Sequence, residues 1–180
     1  MNCPDAAPPP GEAAPGSIEG RIAEEHAAIG GHLAHLRDLA TGLEDLDETA
    51  ARQRTAAVLD FLTHELLPHA DAEEASLYPA IESVLGAGAT RTMSLDHRVI
   101  AGLTRELGVT GRSELGAKER AEAHRLLLVL EALIAAHLWK EDTAYVPLLA
   151  LLDPTAYARL HADLAAHPAH QRHTPATELT

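Results

Sequence analysis

The sequence predicts an all-α fold: an antiparallel up-down four-helix bundle with a short additional C-terminal helix. Three observations carry this. The apolar content is mostly Ala and Leu, and only 3% of residues are aromatic, which favours helices over aromatic, β-branched sheets. Apolar residues recur every three to four positions along four long segments. Short connections between the segments make successive helices antiparallel neighbours.

The 180 residues suffice for one domain with a sizeable core. Residues 1–16, rich in Pro, Ala and Gly, read as a disordered tail, residues 17–166 as the bundle, and the polar, proline-broken residues 167–180 as a flexible tail. His167, His170 and His173 in that tail are of a type that binds metal adventitiously, but a loose tail explains them without function.

The first segment runs from Ser17, a suitable N-cap, to Ala40 and stops at Thr41-Gly42. Its stripe is Ile22, His26, Ile29, Leu33 and Leu36. The second runs from Asp47 to Tyr78, with Val58, Leu62, Leu66 (or Glu65), His69, Glu73 and Ser76 on one face. Pro68 lies inside it and predicts a kink, because the apolar period continues across it. The third, Ala89 to Leu107, carries Met93, His97, Ile100 and Leu107, and residues 108–116 read as a loop. The fourth, Ala117 to Tyr145, carries Leu127, Leu130, Ile134, His137, Glu141 and Ala144. Pro79 and Pro147 read as marking helix ends, and residues 154–166 as a final helix packed across the bundle.

The net charge of −13 argues against nucleic acid and anionic membrane surfaces as partners. No run of about 18 apolar residues predicts a transmembrane helix. The N-terminus lacks the basic start and apolar stretch of a signal peptide. Cys3 is the single cysteine, so neither a disulfide framework nor a thiolate metal site is available within one chain, and a cytoplasmic setting is expected.

Six polar residues interrupt the apolar stripes: His26, His69, Glu73, His97, His137 and Glu141. Burying an ionisable group is costly unless it is paired, hydrogen-bonded or bound to a metal. A lone histidine on an apolar face is ordinarily a satisfied core residue. Six such groups on four helices need partners, and the obvious arrangement is around a cation. His69 and Glu73, like His137 and Glu141, are four residues apart, which leaves about 40° of rotation and about 6 Å of rise, so each pair faces one way. The pattern is also duplicated. Glu25-His26 in the first helix matches Asp96-His97 in the third, and His69-x3-Glu73-Glu74 in the second matches His137-x3-Glu141-Asp142 in the fourth. Two such hairpins facing each other create two adjacent metal positions.

The ordered set His, His-x3-Glu, His, His-x3-Glu resembles the hemerythrin-like (HHE cation-binding) family. The flanking LLPHADAEEASLYPAI and LIAAHLWKEDTAYVPLL also match, and the resemblance covers about residues 17–150. It implies a non-haem di-iron centre in which His26 and His69 bind one iron, His97 and His137 the other, and Glu73 and Glu141 bridge them together with an oxo or hydroxo group. The ligand types suit manganese and zinc as well as iron. In one respect the chain departs from the oxygen-carrying members, which supply a further histidine one turn after that of the third helix: here that position is Ala101, and the matching position after His26 is Gly30. Each metal then keeps an open position. This shifts the expectation from reversible oxygen carriage toward chemistry with, or sensing of, oxygen, peroxide or nitric oxide.

Tyr145, one α-helical turn beyond Glu141, reads either as a substitute ligand or as a core tyrosine. His64 is about 140° round the helix from His69, His32 and His35 lie off the first stripe, and His124 lies about 20 Å along the axis from His137; geometry places all four outside the site. Glu74 and Asp142 read as solvated rather than supporting the site, and Trp139 as a shield or a rim residue. Four functions remain: binding or sensing a small diatomic or peroxide ligand, an oxygen- or peroxide-activating oxidoreductase, iron handling without turnover, and a bundle without metal. The expected assembly is a monomer or small homo-oligomer, and no protein partner is legible.

Overall fold

Ser17 opens the first helix, its hydroxyl accepting from the Gly20 N–H at 3.1 Å. The computed structural model describes residues 16–111 and 116–167, and every regular element among them is helical. The expected tails fall largely on residues 1–15 and 168–180, which with Cys3, His170, His173 and residues 112–115 of the expected loop lie outside the described residues.

Helix α1 spans Ile18–Gly42 and is followed by a 3-10 turn, Leu43–Asp45. Asp47 then caps α2 (Glu48–Phe61) by accepting from the Ala50 N–H. The helical path continues through a π turn (Leu62–Leu66), α3 (Leu67–Ala72), a second π turn (Glu73–Leu77) and α4 (Tyr78–Leu85). It stops at Gly86, whose φ of 100° lies in the left-handed region open to glycine. Then come α5 (Arg91–Thr110) and α6 (Ala117–Lys140), a third π turn (Glu141–Tyr145), a 3-10 stretch (Val146–Leu151) and α7 (Pro154–Ala166), capped by Asp153.

Two expected helix ends are not ends. The helix runs past Pro79 to Leu85, and after Pro147 the chain stays helical, as a 3-10 stretch, to Leu151. A proline in an α-helix lacks a donor and its ring collides with the carbonyl four residues back. The π turns relieve both problems. The residue before each proline bonds five residues back instead of four: Leu67 to Leu62, Tyr78 to Glu73, and Val146 to Glu141. Pro68 is accommodated in the same way. Gly108 likewise fails to stop α5, which continues until the Gly111 N–H bonds to Leu107. At Gly111 a Cβ would lie 3.1 Å from the Thr55 side chain, so glycine permits this close approach of α5 to α2.

Helix α1 packs along α6 and against α2, while α5 packs along α6 and against α2 and α3. Contacts within each pair run in opposite sequence order. Along α1, His26 meets Asp142, Arg37 meets Glu131 and Ala40 meets His124; along α5, Asp96 meets Lys140 and Glu106 meets Arg125. Carbonyls at the C-terminal end of α1 and just beyond it are covered by α6, Ala40 accepting from His124 at 2.8 Å and Leu43 from Arg120.

The core has two parts. One holds Leu36, Leu62, Leu107, Leu126, Leu127 and Leu130 with their neighbours. The other holds Ile18, Ile22, Leu77, Tyr78, Ile81 and Met93, with Leu149, Leu160 and Leu164 laid over them. Burial of Leu160 and Leu164 contributes roughly 1.5–3 kcal/mol each to docking α7. No helix among the described residues is long and apolar enough to cross a membrane.

Candidate metal centre

A polar layer separates the two parts of the core, and it contains all six residues that interrupt the stripes. His26, His69, Glu73, His97, His137 and Glu141 are each buried, Glu141 completely. They form two overlapping groups: His26, His69, Glu73 and Glu141, and Glu73, His97, His137 and Glu141. Both glutamates belong to both groups. Glu73 points Oε1 at His69 Nε2 (3.0 Å) and His26 Nε2 (3.6 Å), and Oε2 at His97 Nε2 (3.3 Å). Glu141 Oε2 lies between His26 Nε2 (3.5 Å) and His137 Nε2 (3.6 Å), and the Nε2 atoms of His97 and His137 are 2.9 Å apart.

These spacings fit a cation in each group. Two donors bound at about 2.0–2.2 Å and set at right angles are about 3 Å apart. The protein alone leaves the polar demand unmet: His26 Nε2, both oxygens of Glu73 and Glu141 Oε2 are buried without a hydrogen-bond partner. An unsatisfied buried polar atom costs about 1–3 kcal/mol, so this layer weakens the fold unless something binds there.

The outward nitrogens form a second pattern. His26 Nδ1 bonds to Asp142 (2.7 Å), His69 Nδ1 to Glu25 (3.2 Å), His97 Nδ1 to Glu74 (3.1 Å) and His137 Nδ1 to Asp96 (3.3 Å). Each acid is adjacent in sequence to one inward residue and reaches the histidine of a different helical stretch, so the four bonds run in a closed ring. A carboxylate can only accept, so each Nδ1 carries a proton and Nε2 is the atom each ring turns inward. Glu74 and Asp142, expected to be merely solvated, hold His97 and His26 while remaining partly exposed. The pairs Glu25-His26, Glu73-Glu74, Asp96-His97 and Glu141-Asp142 were the sequence signal for this ring.

The two groups differ electrostatically. Burial disfavours charge on His26, but the Asp142 and Glu73 carboxylates outweigh it and lift the pKa to about 9. Burial is likewise overcome at His69 by Glu73 and Glu25, to about 10. Glu73 is also buried, yet the surrounding histidines, His69 foremost, hold it well below the usual carboxylate range. In the other group, burial and the charge of His97 push His137 down to about 4. Burial and the Glu73 charge raise Glu141 well above the usual range.

One residue at the layer was not foreseen. The Tyr78 hydroxyl donates to Glu141 Oε1 (2.6 Å) and lies 3.2 Å from His97 Nε2 and 3.5 Å from His137 Nε2. Its ring stacks on His97 with centroids 5.4 Å apart. Tyr78 is five residues after Glu73, a step that leaves the inward face of an α-helix but stays on it across a π turn. Ser76, expected on the stripe, is only half-buried, while Leu77 and Tyr78 are buried. The same shift turns Ala144 outward and takes Tyr145, read as either a substitute ligand or a core tyrosine, to the Ala89 carbonyl at 3.3 Å, packed against the core. The residue five after Glu141 is Val146, which has no donor.

The remaining expectations resolve simply. His64 is exposed beside Asp60, His32 stacks on Phe61, and His124 covers the end of α1. Trp139 is 67% exposed, too far into solvent to shield the site or belong to a core rim. Ala101 is half-buried and Gly30 exposed, and neither adds a donor. On the face of the layer away from Tyr78, a cavity of about 10 Å³, room for about one water-sized molecule, is lined by His69, His97 and His137 with Leu66, Ile100 and Ile134.

No curated protein and no solved structure significantly matches the chain. The family model described as the hemerythrin HHE cation-binding domain matches residues 18–149, the span that supplies all six inward residues and the four acids behind the histidines. The chain therefore belongs to the hemerythrin HHE cation-binding domain family.

Proposed function

We propose that residues 17–166 form an antiparallel up-down four-helix bundle that holds two iron ions and binds a small diatomic or peroxide ligand beside them. His26 and His69 bind one ion, His97 and His137 the other, and Glu73 and Glu141 bridge. The observation that carries this reading is the pair of overlapping four-donor groups sharing both glutamates in one buried layer. The reversed order of contacts along α1, α5 and α6 supports the bundle topology. Imidazole and carboxylate donors accept iron, manganese or zinc, and family membership favours iron.

A redox-active ion pair supplies the means to bind oxygen, peroxide or nitric oxide and exchange electrons with it. The chain's own contribution is positional. The four acids fix the imidazole rings and tautomers. The small cavity lined by Leu66, Ile100 and Ile134 has room for about one water-sized molecule beside the histidines, which favours a small ligand.

The test is aerobic purification followed by metal analysis and a visible spectrum with and without azide or peroxide. The expected result is iron with the bands of a bridged ferric pair, shifting on addition of azide. A protein that takes up only zinc and shows no such bands contradicts the redox reading.

A further inference from the structure

We propose that the Tyr78 phenolate oxygen is a direct ligand of the cation held by His97 and His137. This rests on the two-ion reading above and adds to it a donor that breaks the equivalence of the two positions.

The argument is geometric. Glu74 and Asp96 engage Nδ1 of His97 and His137, so both rings turn Nε2 into the layer. These two atoms are 2.9 Å apart, and the Tyr78 oxygen lies 3.2 Å from one and 3.5 Å from the other. Three potential donor atoms thus converge on one buried point. The single phenol proton is already directed at Glu141 Oε1, 2.6 Å away, and serves neither nitrogen. A hydrogen bond from Tyr78 to Glu141 alone does not require the histidines to crowd its oxygen. A cation among the three atoms satisfies them together, at spacings close to the roughly 3 Å expected of donors on one metal.

The backbone supports the same assignment. The π turn Glu73–Leu77 aligns Tyr78 beneath Glu73, and the Tyr78 N–H bonds to the Glu73 carbonyl. Stacking on His97 and near-complete burial fix the phenol where it lies. Binding breaks the phenol O–H bond and forms a metal–oxygen bond. The proton is released to solvent, no electron is transferred, and Glu141 Oε1 loses its hydrogen bond and becomes available as a donor. Val146 offers no counterpart at the His26 and His69 position, so the two positions are unequal.

Iron is the probe. Wild-type protein loaded to two ferric ions per chain should show a tyrosinate-to-iron charge-transfer band, with tyrosinate modes enhanced in resonance Raman spectra excited within it. Tyr78→Phe should lose the band entirely while retaining bound iron and helical circular dichroism, and Tyr145→Phe should leave it intact. Tyr78→His, which keeps a donor, should also lose the band, a second route if the phenylalanine variant does not fold. A wild-type protein with two irons and no tyrosinate signature overturns the assignment and leaves the two-ion centre standing. So does a band that survives Tyr78→Phe or vanishes in Tyr145→Phe. Wild-type protein that binds no iron overturns both.

Discussion

The half of the centre built on His26 and His69 and the half built on His97 and His137 arise from the same repeated pattern, yet their chemistry differs. In the first, histidines of raised pKa surround an ionised Glu73. In the second, His137 and Glu141 favour their neutral forms, and a tyrosine hydroxyl enters among the donors. The cause is local. The π turns Glu73–Leu77 and Glu141–Tyr145 each start at a shared glutamate and precede a proline. Five residues after the glutamate stands Tyr78 in the first stretch, at the layer, and Val146 in the second. A duplicated pattern thus yields two unequal halves from one aromatic residue.

Removing a shared glutamate gives the largest effect. Glu73→Ala should reduce metal uptake to less than one ion per chain. In the metal-free protein it also strips the buried partner from His26 and His69, at a cost of about 3–5 kcal/mol in chemical denaturation. If this variant loads two ions with unchanged affinity, Glu73 is not shared.

Single-histidine variants separate the halves. His26→Ala should lose one ion and keep the spectral properties of the His97 and His137 position, and His137→Ala should do the opposite. Identical spectra from the two one-ion proteins would show that the halves are equivalent.

Changing pH distinguishes them without mutation. His26 and His69 have folded pKa values of about 9 and 10, above the ordinary 6.5. Their contribution to metal-free stability is full below about pH 6.5 and is lost as pH rises through 9 and 10. A cation replaces those protons, so metal affinity should rise across the same window, with net proton release measurable by calorimetry in buffers of different ionisation heat. His26→Ala should remove part of both trends. A loaded protein whose affinity falls between pH 6.5 and 9 would contradict the charge assignment.

The acids behind the histidines give the smallest effects. Glu25→Gln and Asp96→Asn, at the more buried positions, should weaken metal binding by about 10–100-fold. Glu74→Gln and Asp142→Asn, more exposed and better screened, should weaken it less. Equal losses at all four would show that exposure does not scale their influence.

Much of this was legible in the sequence because α-helical periodicity is a sound rule where the helix is an α-helix. The stripe residues Ile22, His26, Ile29, Leu33 and Leu36 are all buried, and the six inward residues meet in one layer. The rule failed where prolines widened the turn. Beyond Glu73 and Glu141 it selected Ser76 and Ala144, and it passed over Tyr78. Pro79 and Pro147, each six residues after a shared glutamate, were the available signal, but they read as helix ends. The acid ring was missed for another reason. Glu74 and Asp142 lie on solvent-facing flanks of their own helices, and only the approach of the next rod shows that each reaches a histidine.

The most direct measurement is anaerobic titration of metal-free protein with ferrous ion, counting bound iron per chain. Saturation at two ions in the wild type, falling below one in Glu141→Ala, is the predicted result. Saturation at one ion or none, or undiminished uptake by Glu141→Ala, would contradict a two-ion centre shared between Glu73 and Glu141.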